Sequence, residues 1–327
     1  VLIAGGGITG SAAFRYFAEA GKKTYLVNYE HGSSWRNIGG GRPAFSVPEI
    51  AEIANQNQAI FKEIQKQTNI HYKPIRYVGL AHDDKEYKAL EASLAWSEGY
   101  MVDKKDFTKE ISPYFNPDID TYQAALITKN CWQATPGRVI EFIRNIACQN
   151  GGMLLENARL LEVQRTDEGF MALVYNQNKE FIEFHCEHFV NALGSNAGEF
   201  AKQLGVDTGF YPVKHQAFIT GRLPLLGKNG DALDMIIDRR NYKGFSAVYG
   251  QQFAHTGQII GCASPATDAS AVVKDLRYNS KAFIEICAEV FRQWIPQLGA
   301  VSVQAFWSGY YTEPRYIVDP DNNLIAG

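Results

Sequence analysis

The chain opens Val1-Leu2-Ile3-Ala4-Gly5-Gly6-Gly7-Ile8-Thr9-Gly10, an apolar run that passes straight into glycines spaced G-x-G-x-x-G. A short strand, this spacing and then a helix form the start of a βαβ unit that binds a dinucleotide. Gly5 permits a sharp turn, Gly7 lets the backbone approach a pyrophosphate with no Cβ between, and Gly10 lets the helix pack close on the sheet. The helix reads from Ser11 to Ala20, with Gly21 placed to cap it. Its amino end offers unpaired N–H groups and a positive dipole to phosphates. Thr24-Tyr25-Leu26-Val27 then returns as a second strand. An ordinary strand-to-helix turn also uses glycine, but here all four parts follow in order within one βαβ length.

One position departs from the pattern. An acid normally ends the second strand and takes the ribose hydroxyls of the adenosine half. Here Asn28 ends it, and the nearest acid is Glu30. An amide can hydrogen-bond a ribose hydroxyl without the charge-assisted strength of a carboxylate. Neither residue makes a site for a 2′-phosphate.

With 327 residues the chain is long enough for two modest domains or one large α/β body. A formal net charge of −3 supplies no basic field for nucleic acid and no polybasic membrane patch. No apolar run reaches the roughly 18 residues of a membrane-spanning helix. The five cysteines are scattered and odd in number, without metal-ligand spacing, and read as reduced thiols of a cytosolic protein. Both ends read as trimmed: there is no initiator Met, and the chain stops at Leu324-Ile325-Ala326-Gly327, a strand entering a turn. A targeting peptide is therefore not visible.

After the second strand, a nicotinamide-binding domain would continue with further βα units. This chain instead gives the loop His31-Gly32-Ser33-Ser34-Trp35-Arg36-Asn37-Ile38-Gly39-Gly40-Gly41-Arg42-Pro43, then a helical pattern from about Pro48 to Thr68. Small residues let backbone N–H groups approach a flat polar ring system, which favours a flavin. A plain surface loop is the competing reading.

Four segments together resemble the D-amino-acid-oxidase-type family of FAD-dependent oxidoreductases, which includes glycine, sarcosine and proline oxidases and dehydrogenases. They are Ile3 to Gly10, Ser33 to Pro43, Phe189-Val190-Asn191-Ala192-Leu193-Gly194-Ser195-Asn196-Ala197, and Trp307-Ser308-Gly309-Tyr310-Tyr311-Thr312-Glu313-Pro314. The third also reads on its own as a strand-to-helix turn, in which Asn196 and Glu199 are spaced as a capping box. The resemblance implies an α/β fold: a Rossmann-like FAD-binding domain interleaved with an α+β substrate domain built on a mainly antiparallel sheet. Residues 1–75, 135–208 and 303–327 are assigned to the first, and 76–134 and 209–302 to the second.

The resemblance further implies non-covalent FAD, since no cysteine has a context for a covalent link. Contacts to it are expected from Gly5, Gly7, Ile8, Thr9 and Gly10 at the pyrophosphate, and from Asn28, Tyr29 and Glu30 at the adenosine half. Ser34, Arg36, Asn37, Gly39 and Gly40 are expected beside the ring, with Val163, Ala192 and Gly194 completing the set. Val163 belongs to the strand pattern of residues 158–163, which also reads as an ordinary core strand. The implied reaction is removal of a hydride from an amine-bearing carbon of a small amino acid or secondary amine, giving an imine.

Candidate substrate-site residues are Tyr311, His215 and Arg42. Tyr311 stands where the family often carries a carboxylate-binding Arg; Arg315 lies four residues on. His215 is a proton acceptor or a satisfied structural histidine, and Arg42 a pocket or surface cation. Tyr242, Phe245 and Tyr249 compete for one pocket aromatic. Arg239-Arg240 reads as a solvated pair. The chain stops before the family's glycine-rich turn and closing helix. Partners are a small-molecule amine and a second subunit or electron-acceptor protein. Two alternatives stand: a flavin-bearing subunit without turnover of its own, and an oxidase of a hydroxy compound such as glycerol phosphate. The latter wants a cluster of cations, which no tight spacing in the sequence offers. Nucleic acid is not expected as a partner, given the acidic balance.

Overall fold

Leu2, Ile3 and Ala4 are all buried and form strand β1, as a strand covered on both faces requires. The structure is a computed structural model that describes residues 1–43, 45, 48–116, 120–265, 279–314, 316–318 and 324–326. Helix α1 (Ile8–Glu19) and the parallel neighbour β2 (Tyr25–Asn28) complete the opening unit. Then come β3 (Gly40–Gly41), α2 (Pro48–Gln67), β4 (Lys73–Ala81), α3 (Asp84–Ala92), β5 (Gly99–Asp103), α4 (Phe107–Glu110) and β6 (Ala124–Gln133). Helix α5 (Pro136–Gln149) leads to β7 (Met153–Glu156), β8 (Arg159–Thr166), β9 (Gly169–Tyr175), β10 (Phe181–Cys186), β11 (Phe189–Asn191) and α6 (Ala197–Gln203). The last part holds β12 (Phe210–Arg222), β13 (Met235–Asp238), β14 (Phe245–Gln252), β15 (Gln258–Pro265), α7 (Lys281–Trp294), β16 (Val303–Pro314), β17 (Tyr316–Val318) and β18 (Leu324–Ala326).

A parallel sheet of order β11-β1-β2-β7 is sandwiched. On one side, Phe14 and Ala18 of α1 and Ala147 of α5 cover Ile3 and Leu26; on the other, the antiparallel β8-β9-β10 sheet covers Leu2, Ala4 and Val27. This is the expected Rossmann-like part. It is interleaved with a nine-stranded sheet of order β16-β12-β15-β14-β13-β4-β6-β3, with β5 on β6. Only the β13–β4 pair in it is parallel, so the sheet is mainly antiparallel, again as expected.

Strand alternation divides that sheet into two faces. Val78, Leu80, Ile127, Phe218, Val248, Ile259 and Ala263 pack under α7, whose Phe283, Cys287, Val290, Phe291 and Trp294 recur at helical spacing. Ile75, Tyr77, Cys131, Met235, Ile260 and Cys262 form the opposite face and meet Ile38 from the loop after β2.

Two sequence readings are corrected. Asn196 and Glu199 make no capping box, because Asn196 itself has helical dihedrals and makes no side-chain cap. The pair Arg239-Arg240 is not jointly solvated. Arg239 is exposed, but Arg240 donates to both carboxylate oxygens of Asp238 and, at 2.9 Å, to Gln293 Oε1.

Asp238 is 1% exposed and also accepts from His82 Nε2 at 2.9 Å and from the Tyr122 hydroxyl. Burial alone would raise its pKa, but hydrogen bonds from His82, Arg240 and Tyr122 hold it well below the usual carboxylate range. Because removing one partner strands buried charge, Asp238→Ala is expected to cost about 3–5 kcal/mol of stability, read by urea unfolding.

Candidate cofactor and substrate site

The glycine turn is built by close approach. Gly5 has φ +100°, and a Cβ there would overlap the Ala192 carbonyl; a Cβ on Gly10 would overlap the Gly5 carbonyl. Neither position admits a side chain. Gly7 is the N-cap of α1, so no side chain caps the helix, and its first turn holds no acid. Ile8 and Thr9 are exposed there, and Ile8 N–H donates to Ser34 Oγ at 3.1 Å. Ala192 N–H donates to Ala4 O at 2.8 Å, which lays the Ala192–Gly194 turn against the first one. The arrangement leaves the positive end of α1 at an exposed turn with neither a side-chain cap nor an acid, and so fits a pyrophosphate.

At the end of β2, Asn28 is buried. Its Oδ1 accepts from Gly6 N–H at 3.2 Å and its Nδ2 donates to Glu156 Oε2 at 2.6 Å. Glu156 ends β7 in register with Asn28. Arg144 of α5 reaches the same place and donates to Glu156, to the Gly6 carbonyl, and to Ser11 Oγ at 3.1 Å. Burial lowers the pKa of Arg144, opposed by the nearby Glu156. Tyr29 and Glu30 are exposed, and the Arg159 guanidinium sits 5.5 Å from the Tyr29 ring centre. Val163 is fully buried, its N–H donating to Gln203 Oε1 at 3.0 Å. Sequence reading missed Arg144 and Glu156. The one signal was an arginine between Ile143 and Ala147, on the apolar stripe of α5.

The Ser33–Arg42 loop is stitched to β16, so the second and fourth motif segments meet in space. Trp307 Nε1 donates to Arg36 O at 2.8 Å, Arg36 Nη1 to Ser308 O at 3.2 Å, and Tyr310 N–H to Ser33 Oγ at 3.0 Å. Asn37 Oδ1 accepts from Gly39 N–H at 2.7 Å, and Gly40 begins the edge strand beside Gln133. Gln251 Nε2 holds the Ile38 carbonyl at 2.8 Å.

Across from this loop the sheet face gathers the substrate-site candidates. His215 and Tyr311 have ring centres 4.0 Å apart, and the Tyr311 hydroxyl is hydrogen-bonded to that of Tyr249. Arg42 lies over Phe45 at 4.6 Å and 6.0 Å from the Tyr77 ring centre, with no carboxylate partner among the described residues. Of the three candidate aromatics Tyr249 alone lies on this face, since Tyr242 and Phe245 pack toward the α7 face. Tyr77 was not anticipated. Arg239 continues the Met235–Ile237 alternation onto the Tyr77 face. Arg315 lies outside the described residues.

The electrostatics of this face are those of a mostly neutral surface, buried at Tyr77, His215 and Cys262 and open to solvent at Tyr311, which is 49% exposed. Burial raises the phenols of Tyr77, Tyr249 and Tyr311 and pushes the Cys131 and Cys262 thiols up to about 12. Burial likewise lowers His215 to about 4. Neither of its ring nitrogens has a hydrogen-bond partner among the described residues. The 3.9 Å approach of Glu313 is therefore no ion pair at neutral pH.

An uncapped helix end behind a glycine turn, a loop pinned to the sheet and an aromatic sheet face belong to the class of dinucleotide-dependent oxidoreductases. The family model "DAO: FAD dependent oxidoreductase" matches residues 1–327, and the chain belongs to that family, with FAD as its cofactor. No curated protein matches the chain by sequence. Among solved structures it is similar to L-proline dehydrogenase from P. horikoshii, with TM-score 0.79 and 21% identity over 99% of this chain and 86% of that one. Glycine oxidase from Geobacillus kaustophilus gives TM-score 0.77 and 16% identity over 99% and 87% of the two chains. L-alpha-glycerophosphate oxidase from Mycoplasma pneumoniae, with FAD bound, gives 0.75 and 18% over 100% and 88%. At these identities the likeness is one of fold.

The histidine yields a pH prediction. The unfolded chain takes up this proton below about pH 6.5, the folded chain only near 4, so stability falls as pH drops through that window. The loss is roughly 3 kcal/mol at full protonation. His215→Asn is expected to flatten the decline between pH 6.5 and 4 in denaturant titrations; an equally steep decline would refute a buried neutral imidazole.

Proposed function

We propose that this protein oxidises the C–N bond of a small amino acid or secondary amine. Residues 1–75, 135–208 and 303–327 serve as the FAD-binding part, and 76–134 with 209–302 as the substrate part. The observation that carries this reading is the sheet face itself: Tyr77, Tyr249, Tyr311 and His215 all uncharged at neutral pH, beside a cation, Arg42, with no carboxylate partner among the described residues. Apolar and aromatic walls with few directional groups suit a small ligand. A guanidinium suits a carboxylate, bidentately where geometry allows.

Bound FAD supplies the hydride acceptor; the residues bind, orient and exclude water. A hydride leaves the carbon readily only when the adjacent nitrogen carries a lone pair. A pocket of neutral groups with low polarity favours the uncharged amine, by the same desolvation that holds His215 neutral. Arg42 anchors the carboxylate, while the hydrogen-bonded Tyr249 and Tyr311 hydroxyls orient the far end of the substrate. The buried thiols of Cys131 and Cys262, kept protonated, are poor nucleophiles, which supports non-covalent FAD. Electrons then pass to oxygen, a quinone or a carrier protein in the cytoplasm.

A second reading, oxidation of a hydroxy substrate such as glycerol phosphate, rests on one feature that sequence spacing hid. Although part of the Arg239 side chain is exposed, desolvation of its guanidinium first, and then repulsion from Arg42, lower its pKa, so the two cations are close on one face and suit a phosphate.

Anaerobic titration of the holoprotein with glycine, sarcosine, proline, both amino-acid enantiomers and glycerol phosphate decides between the readings. Bleaching of the flavin bands by an amine is the expected result; bleaching by glycerol phosphate alone would establish the second. Arg42→Ala is expected to weaken substrate binding about 10- to 100-fold, the worth of a charged hydrogen bond, with the flavin spectrum unchanged. Unaltered affinity in that variant would remove Arg42 from the site.

A further inference from the structure

We infer that Glu156, from the neighbouring strand β7, supplies the carboxylate that β2 lacks and binds the ribose diol of the cofactor's adenosine half. Strands β1, β2 and β7 are parallel, so their carboxyl ends share one edge, and the glycine turn rises from that edge. Ligands of such sheets bind in the crevice beyond the strand ends. Asn28 closes β2 there, but its amide is committed inward, to Gly6 on one side and Glu156 on the other.

The geometry carries the carboxylate back toward β2. Neighbouring strands stand about 4.8 Å apart, yet Glu156 Oε2 lies 2.6 Å from Asn28 Nδ2. The Glu156 carboxylate therefore leans over Asn28, within one hydrogen bond of where an acid at position 28 would present its own. Arg144, with its side chain only 5% exposed, grips the other oxygen, while the Glu156 side chain remains 43% exposed. An ionised carboxylate has about four lone-pair sites. Two of those on Glu156 are taken by Asn28 and Arg144, and the exposed remainder suits two ribose hydroxyl donors.

Arg144 is a positioning residue in this scheme. It ties Glu156 to the Gly6 carbonyl and to Ser11 Oγ, so the ribose-side carboxylate and the pyrophosphate turn are held as one rigid piece. Asn28 takes the place of a second carboxylate beside Glu156 and donates where an acid would repel.

The test is cofactor affinity of the apoprotein, read by quenching of flavin fluorescence, with FAD and with FAD lacking the adenosine 2′-hydroxyl. Wild type is expected to prefer FAD by about 10- to 100-fold, the worth of a charge-assisted hydrogen bond. Glu156→Gln is expected to lose most of that preference, and Asn28→Asp combined with Glu156→Gln to regain part of it. If Glu156→Gln weakens both cofactors equally and keeps the preference, Glu156 is merely structural and the inference fails. It fails equally if wild type shows no preference. Should Glu156→Gln not fold, Glu156→Asp reads the same ratio through its shorter reach: a reduced preference supports the inference and an unchanged one overturns it.

Discussion

The two-residue period of a β-strand governs the nine-stranded sheet, and the remainder of the architecture is arranged around it. Along β13, β14, β15 and β12, one set of side chains faces α7 and the alternate set faces the Ser33–Arg42 loop. A slip of one residue in any of these strands would exchange the two sets, placing Phe218 or Val248 in the pocket and Tyr249 or Cys262 under the helix. The apolar face fixes the register, because burying it under Phe283, Phe291 and Trp294 is the large favourable term. The pocket face inherits that register. Its chemistry is thus held in place by packing on the far side of the sheet.

The two halves of the molecule meet through polar contacts of a different kind. Where the loop crosses β16, backbone groups of Arg36, Ser308 and Tyr310 are satisfied by the side chains of Trp307, Arg36 and Ser33. Such bonds are individually modest, but a buried carbonyl left without a donor is costly. The Ser33–Arg42 loop is therefore pinned by the same strand that carries Tyr311 beside His215. Behind the glycine turn, Arg144 does similar work with charge, tying helix α5, the turn and β7 together.

Local patterns read well wherever the cause was local. The glycine turn was visible because steric exclusion at Gly5 and Gly10 leaves a spacing in the sequence. Helix α2 fell where apolar periodicity placed it. The capping box failed because a 3₁₀ turn at Gly194–Asn196 had already given Asn196 helical dihedrals, and residue spacing does not record that. Arg240 looked solvated beside Arg239, yet nearby Asp238 is joined by His82, just after β4, and Tyr122, just before β6. The Arg144–Glu156–Asn28 group likewise joins β2 to the consecutive elements α5 and β7, with 128 positions between Asn28 and Glu156.

Sequence alone determined the dinucleotide turn, the flavin-type loop, the alternation of the strands and the residue types available to the site. These follow from backbone sterics and hydrophobic periodicity, which act over a few residues. Tertiary structure alone decided which aromatic of Tyr242, Phe245 and Tyr249 shares a sheet face with Tyr311, that the His215 ring is buried with neither nitrogen hydrogen-bonded to a described residue, and that a carboxylate from β7 reaches Asn28. Those outcomes depend on desolvation and on strand pairing between distant segments. Neither quantity exists until the chain has closed on itself.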